Sequence, residues 1–106
     1  MNCLSHTNYY FIGIGGIGMS SLAEYMSHLD KKVAGYDREK SFQSTRLIKL
    51  GIKIIFSDCE QKINSKFKDS KNTLIVYTPA INENNKILNF FKSNNFNVVK
   101  LSLIHI

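Results

Sequence analysis

Runs of apolar residues alternate along this chain with stretches in which apolar residues recur every three or four positions. The run Thr73–Tyr77 (TLIVY) is apolar throughout, as expected for a strand that is covered on both faces. Leu22, Met26 and Leu29 recur at helical spacing. The pattern predicts strands at 9–14, 32–36, 53–56, 73–77 and 97–100, helices at 19–29, 44–50 and 85–93, and a short helix and loop between 58 and 72.

Strands that alternate with helices predict an α/β fold, here a Rossmann-like three-layer domain with a mostly parallel five-stranded sheet. In such sheets, ligands bind beyond the carboxyl ends of the strands. Four segments that are far apart in sequence are expected to meet there: the loop 13–18, Asp37, the turn 56–59 and the turn 78–82. The topology therefore predicts a single crevice formed by these four segments.

The composition is that of an ordinary globular domain with a basic surface. The chain has 106 residues, of which 43% are hydrophobic, and a net charge of +6. This charge suits an anionic ligand. The lysines are scattered, however, and no aromatic-rich basic motif is present, so nucleic acid is not an expected partner.

The sequence contains no pattern that is typical of a metal site, a signal peptide or a membrane-spanning helix. Cys3 and Cys59 are too few for a disulfide scaffold or a four-ligand zinc site, and no metal site is predicted. The polar start lacks the apolar segment of a signal peptide, and no apolar run approaches the roughly 20 residues of a membrane helix. We therefore expect a cytoplasmic protein with no membrane partner. His6, near a frayed N-terminus, and His28 are both expected at the surface.

The strongest local signal is the loop Gly13-Ile14-Gly15-Gly16-Ile17-Gly18, which follows a predicted strand and opens a predicted helix. Gly13 permits a tight turn, Gly15 lets the backbone approach a diphosphate, and Gly18 allows close packing of helix on strand. The free N–H groups at the helix start favour an anion. A tight strand–helix turn without a ligand is the alternative interpretation.

Asp37 follows the second predicted strand, about 20 residues beyond the glycine loop, where an acid accepts hydrogen bonds from ribose hydroxyls. A solvated turn residue or a helix cap is the alternative interpretation. The loop and the acid together describe a dinucleotide site as well as a sugar-nucleotide site. An NAD-binding domain of an oxidoreductase and a free-standing nucleotide-binding module are therefore both alternatives.

Further motifs between residues 10 and 100 resemble, in order and spacing, the first domain of the Mur ligase family, and in particular its alanine-adding members. The glycine loop continues into Met19-Ser20, as in the family's G-x-G-G-x-G-M-S pattern. The related ligase that recycles murein peptides is an alternative within the family. The other matching motifs are Ser21-Leu22-Ala23, Gly35-Tyr36-Asp37, Thr45-Arg46-Leu47 with Leu50-Gly51, and Thr78-Pro79-Ala80-Ile81.

The resemblance implies binding of UDP-N-acetylmuramate through its UDP group, as part of an ATP-dependent ligase that adds L-alanine in peptidoglycan biosynthesis. In the family, the glycine loop holds the diphosphate, the acid after the second strand lies near the nucleoside, and the turn after the fourth strand lines the site. Carried over to this sequence, these roles fall on Gly15, Gly16, Ile17, Gly18, Met19, Ser20, Asp37, Thr78, Ala80 and Ile81.

The resemblance also implies that the ligation chemistry belongs to other parts of the enzyme. The sequence contains no G-x-x-x-x-G-K-[ST] P-loop, so no catalytic residue is assigned. ATP and Mg²⁺ are expected to be bound by a central ATPase domain, and no cofactor by this domain. The central and C-terminal domains of the same polypeptide are the expected partners.

Three stretches depart from the family pattern, and one of them is Asn82-Glu83-Asn84, where the family commonly has a proline. The family often has a glycine–histidine pair after the third strand that helps to hold the nucleotide, whereas this chain has Phe56-Ser57-Asp58. Ser57 and Asp58 offer hydrogen-bonding groups in its place, although a carboxylate close to a diphosphate is unfavourable. The chain ends in Leu101-Ser102-Leu103-Ile104-His105-Ile106, which resembles a translated transposon end. The domain is therefore expected to span 1–100, with 101–106 as a non-native tail. A genuine apolar end to the fifth strand is the alternative interpretation.

Overall fold

Eight regular elements make up the domain in the computed structural model, which describes residues 5–104. The strands β1 to β5 are Asn8–Ile12, Lys32–Tyr36, Lys53–Ile55, Thr73–Tyr77 and Asn97–Lys100. The helices α1 to α3 are Ile17–His28, Phe42–Lys49 and Lys86–Ser93. Short 3-10 helices lie at Glu60–Lys62, Ser65–Lys68 and Leu101–Leu103.

The strands form one sheet in the order β3-β2-β1-β4-β5. Every strand pairing among the described residues is parallel, which confirms the Rossmann-like α/β class and makes the sheet wholly rather than mostly parallel. β1 pairs with both β2 and β4, so that Asn8 lies opposite Lys32 on one side and Thr73 on the other. The winding direction reverses between β1 and β4, which is where α/β sheets open a ligand crevice.

Two apolar layers cover the sheet and make β1 its fully buried centre. Tyr9 and Phe11 face the layer formed with α1 and α2, whereas Tyr10 and Ile12 face the layer formed with α3. All four side chains are at most 2% exposed. Because burying a side chain of this size contributes about 1.5–3 kcal/mol, these two layers hold the carboxyl end of β1 in a fixed position.

The first strand is shorter, and the first helix begins earlier, than the apolar pattern predicts. β1 ends at Ile12 because Gly13 adopts φ +90° and turns the chain. The N–H groups of Gly13 and Ile14 then donate to the carbonyl of Tyr36, at 2.8 and 3.0 Å. These bonds tie the glycine loop to the end of β2.

The connection from β3 to β4 contains two 3-10 helices where a single short helix was predicted, and Ile63 and Phe67 anchor it in the core. At the other end of the chain, Leu101 and Ile104 pack against the α1–α2 layer. The last two residues of the predicted tail lie outside the described residues, and the domain boundary at 100 stays a prediction. No helix within residues 5–104 is long and apolar enough to cross a membrane.

The prediction of a surface position was wrong for His6. This side chain is 7% exposed, its ring packs edge-on against Tyr9, and its Nε2 lies 3.4 Å from Nδ2 of Asn97 at the start of β5. Burial, and to a smaller extent the charge of Lys31, lowers the pKa of His6 below its usual 6.5. His28 is exposed on α1, as predicted.

Candidate functional site

A crevice of about 900 Å³ opens beyond the carboxyl ends of the strands. The glycine loop, the end of β2, the turn after β3 and the loop after β4 all contribute to its walls. The topology therefore brings together the four segments expected to meet. Predicted site residues that line the crevice are Gly16, Asp37, Thr78, Ala80 and Ile81.

The start of α1 is the part of the crevice best suited to an anion. Gly16 is the N-cap residue, with extended φ −64° and ψ 153°, and no side chain caps the helix. The first intrahelical bond runs from the N–H of Ser20 to the carbonyl of Gly16, at 2.7 Å. The N–H groups of residues 17–19 precede that bond, so they have no partner within the helix and carry its positive partial charge.

The other two α-helices begin at the same edge of the sheet, but side chains cap both. Ser41 and Ser44 form a reciprocal capping box at the start of α2, with bonds of 2.8 and 3.1 Å. Asn85 caps α3 by accepting from the N–H of Leu88 at 2.9 Å. Among the α-helices of the described chain, α1 alone begins without a side-chain cap.

Asp37 contacts the glycine loop directly. Its Oδ2 accepts from the N–H of Gly15 at 2.7 Å, and its Oδ1 accepts from the N–H of Glu39 at 3.1 Å. A Cβ on Gly15 would lie 2.7 Å from Oδ2 of Asp37 and 3.0 Å from Oγ of Ser41. The missing side chain of Gly15 therefore makes room for Asp37 and Ser41, whereas the sequence suggested that it makes room for a diphosphate.

The other predicted residues of the loop differ in the exposure of their side chains. Ser20 is 1% exposed and its hydroxyl donates to the carbonyl of Ile17 at 3.0 Å, while Met19 is fully buried. The Ile17 side chain is 77% exposed. A Cβ on Gly18 would lie 3.1 Å from Leu101, so this glycine accommodates the chain that follows β5.

The turn after β4 packs against the glycine loop. The N–H of Ile81 donates to the carbonyl of Thr78 at 3.1 Å, which closes the turn. Thr78 Oγ1 and Ile81 Cδ1 each lie 3.3 Å from the position that a Cβ on Gly13 would take. The positive φ of Gly13 and this close contact both require glycine there.

Sequence reasoning missed several residues of the crevice wall, including Tyr36, Arg38, Asn84 and Asn85. Tyr36 is 5% exposed and its side chain hydrogen-bonds with Asn85. Burial raises the pKa of Tyr36, and the nearby carboxylates Asp58 and Asp37 raise it further. The apolar pattern marked Tyr36 as the last residue of a strand, but it carried no signal for the helix cap against which the phenol packs.

The positive charge of the chain is not concentrated in the crevice. Among residues 5–104, Arg38 is the one cationic residue that lines the crevice wall. Four lysines line a smaller cavity of about 280 Å³ at the opposite edge of the sheet. α1 and α2 end at that edge, where positive charges are favourable near the negative helix C-termini. Within residues 5–104, no group of three His, Cys, Asp or Glu residues is arranged to hold a metal ion.

A parallel sheet that reverses between β1 and β4, with an uncapped helix start in the crevice, defines a Rossmann-like domain whose crevice presents backbone N–H groups of the kind that suit an anion. The chain belongs to the Mur ligase family, because the model described as "Mur ligase family, catalytic domain" matches residues 8–104. This confirms the family suggested by the sequence motifs.

The curated relatives are much longer than this chain. It is 42% identical over 95 residues to the UDP-N-acetylmuramate–L-alanine ligase of Phocaeicola vulgatus, which covers 90% of this chain and 21% of the relative. It is 46% identical over 91 residues to the enzyme of the same name from Porphyromonas gingivalis, covering 86% of this chain and 20% of the relative. The chain thus spans about a fifth of the length of these relatives.

Solved structures show the same fold. The UDP-N-acetylmuramate–alanine ligase of Thermotoga maritima superposes with a TM-score of 0.80 at 27% identity, over 92% of this chain and 21% of that one. A murein peptide ligase from Psychrobacter arcticus superposes with a TM-score of 0.70 over 87% of this chain and 18% of that one. Its 20% identity supports the shared fold alone.

Proposed function

We propose that this chain is the domain of an alanine-adding Mur ligase that binds UDP-N-acetylmuramate through its UDP group. The observation that carries the proposal is the uncapped start of α1, which opens into the crevice at the reversal point of the sheet. A diphosphate supplies the charge and the acceptor oxygens that the free N–H groups there lack. The curated relatives at 42–46% identity carry the name of this ligase.

In the proposed complex, the N–H groups of Ile17, Gly18 and Met19 donate to the diphosphate. Asp37 uses one lone pair on each oxygen for the Gly15 and Glu39 N–H groups, which leaves further lone pairs for ribose hydroxyls. Thr78, Ala80 and Ile81 form the opposite wall. Ser20 acts indirectly, because its hydroxyl holds the carbonyl of Ile17.

The whole enzyme would supply what these residues do not. ATP and Mg²⁺ would be bound by the part of the longer polypeptide that corresponds to the remaining four-fifths of the relatives, and the ligation of L-alanine would take place there. An enzyme that consumes ATP to extend a nucleotide-linked precursor belongs in the cytoplasm, where ATP is available. The proposed partners are thus UDP-N-acetylmuramate and the catalytic domains of the same protein.

Calorimetric titration of the purified chain with UDP, UDP-N-acetylmuramate and NADH tests this function. We expect saturable binding of both uridine nucleotides and no comparable response to NADH. Tight NADH binding without a UDP response would instead favour the oxidoreductase alternative, because the glycine loop and an acid after β2 also suit a dinucleotide.

Substitution of Gly16 tests the role of the α1 start. An added Cβ would lie no closer than 3.6 Å to its neighbours, so this position tolerates a side chain. Both Gly16→Asp and Gly16→Asn supply an N-cap, but only aspartate places a negative charge where the diphosphate would bind. We expect Gly16→Asp to bind UDP about tenfold more weakly than Gly16→Asn, a difference of about 1.4 kcal/mol. Equal UDP affinity of the two folded variants would contradict the proposed phosphate site.

A further inference from the structure

Asp58 caps the start of α3 from a distant part of the chain. Its Oδ2 accepts from the N–H of Lys86 at 2.9 Å and its Oδ1 accepts from the N–H of Ile87 at 3.0 Å. These are the first two residues of α3, and Asp58 comes from the turn after β3, 28 positions earlier in the chain. Since Asn85 already caps this helix through Leu88, the carboxylate completes the cap with a full negative charge.

The capped start of α3 lies in the same crevice as the open start of α1. Asp58 and Asn85 both line the crevice, as does Gly16 at the start of α1. Two helix N-termini therefore contribute to one cavity, and either would attract a phosphate if its N–H groups were free. At α3 the carboxylate occupies the two N–H groups that Asn85 leaves unpaired, and it neutralises the positive end of the helix.

We propose that Asp58 is a specificity-determining residue that fixes the direction in which the nucleotide binds. It blocks the start of α3 to phosphate, so that the diphosphate binds at α1 and the uncharged part of the ligand faces α3. The wall beside Asp58 suits such a group, because Tyr36, Phe56 and Asn84 line it. This inference rests on the proposed function, since it concerns the ligand of the same crevice.

The pairing of Asp58 also explains how a carboxylate can lie in a crevice that is proposed to bind a diphosphate. An aspartate free in the crevice would repel a diphosphate, but this one is paired with two backbone N–H groups. Its charge is compensated by the helix that it caps. Removing it should therefore create a second phosphate site rather than improve the first.

Backbone amide NMR during titration with inorganic pyrophosphate and with UDP tests the proposal. In the natural chain we expect saturable shifts at Ile17, Gly18 and Met19, and none above background at Lys86 and Ile87. In Asp58→Ser, pyrophosphate should produce new saturable shifts at Lys86 and Ile87, and calorimetry should show about two sites in place of one.

Two further variants control this experiment. Asp69→Ser removes a carboxylate that accepts from the N–H of Lys71 in a turn outside the crevice, so it matches the loss of charge and should add no site. Asp58→Asn keeps the size of the side chain in case the serine variant does not fold, and it should gain the same site more weakly. Folding of each variant is checked by circular dichroism.

The outcomes separate this inference from the proposed function. One-to-one pyrophosphate binding by folded Asp58→Asn or Asp58→Ser, without shifts at Lys86 and Ile87, would overturn the role of Asp58. Shifts at those two amides in the natural chain would overturn it as well. If neither ligand produces saturable shifts at residues 17–19 of the natural chain, the proposed function itself fails, whatever the variants show.

Discussion

Two adjacent glycines in the loop have different physical roles. The space beside Gly15 is filled by Asp37 and Ser41, whereas a Cβ on Gly16 would meet nothing closer than the Gly13 carbonyl at 3.6 Å. Gly15 is thus required by a contact within the protein. Gly16 matters in the proposed site because it leaves the start of α1 without a cap.

Gly15→Ala is expected to destabilise the fold and to weaken UDP binding, because the new methyl group displaces Asp37 from the Gly15 N–H. A hydrogen bond to a charged group contributes about 1.5–3 kcal/mol, and partial exposure reduces this value. We therefore expect the free energy of unfolding, measured with urea, to fall by about 1–2 kcal/mol. The cause is checked by a double-mutant cycle. In an Asp37→Ala background the same substitution should cost markedly less, and an unchanged cost would rule out the clash with Asp37.

At the scale of elements, the close approach of β2 to the glycine loop determines where the crevice lies. A Cβ on Gly35, near the carboxyl end of β2, would lie 2.5 Å from the carbonyl oxygen of Phe11 and 2.7 Å from Ile14 Cδ1. The glycine allows Ile14 to pack over β2, and this brings the loop within hydrogen-bonding distance of Tyr36. In the sequence, Gly35 appeared only as part of a family motif.

Gly35→Ala is therefore expected to cost about 2–3 kcal/mol, in the range of overpacked cores. Gly51→Ala is a suitable comparison, since Gly51 follows α2 with φ +93° and no atom lies within 4 Å of the added methyl group. There the cost is backbone strain alone, about 1 kcal/mol. Chemical unfolding of both variants measures the difference, and a Gly35 variant as stable as the Gly51 variant would contradict the packing argument.

At the scale of the whole molecule, the buried ring of His6 lies near two segments that are far apart in the sequence. His6 lies against Tyr9 and beside Asn97, so β1 and β5, at opposite ends of the sequence, are joined near one polar ring. The net charge of +6, in contrast, is spread over the surface and does not mark the crevice. Global charge was thus a poor guide to the site.

Stability should fall as the pH drops below 6.5, because the pKa of His6 is lowered in the folded state. Below pH 6.5 the unfolded chain binds a proton that the folded chain does not. The contribution of His6 to the free energy of unfolding is therefore complete above pH 6.5, and it falls below that pH by at most about 1.4 kcal/mol per pH unit. Urea unfolding at pH 7.5 and 5.5 measures this slope. His6→Gln should flatten it.

Two carboxylates with lowered pKa values, Glu24 and Asp69, act at more acidic pH than His6. The pKa values of Glu24 and Asp69 are lowered from 4.5 and 3.8, by hydrogen bonds from Arg46 and Asn72 respectively. Their contributions are therefore present above those values and are lost only at more acidic pH. A slope between pH 7.5 and 5.5 that survives in His6→Gln would show that another group is responsible.

The sequence by itself determined the order of the elements, the α/β class and the family. The ranges of β2, β4 and β5 agree with the predicted ones, because apolar runs and β-branched residues are local signals. The glycine loop and Asp37 were also visible, since spacing along one chain is enough to recognise such a motif. Local signals failed at helix starts, because α1 begins at Ile17 rather than at the predicted residue 19, and Asn85 lies outside α3 as its cap.

Only the tertiary structure decided what each group of the crevice contacts. The bond from Gly15 to Asp37 spans 22 positions and the bond from Lys86 to Asp58 spans 28, so neither has a periodic or local signal in the sequence. Whether a carboxylate faces a ligand or caps a helix depends on which N–H groups folding brings within 3 Å of it. Asp37 and Asp58 could both be recognised in the sequence as polar residues near the site. Only the folded sheet places Asp37 against the glycine loop and Asp58 at the start of α3.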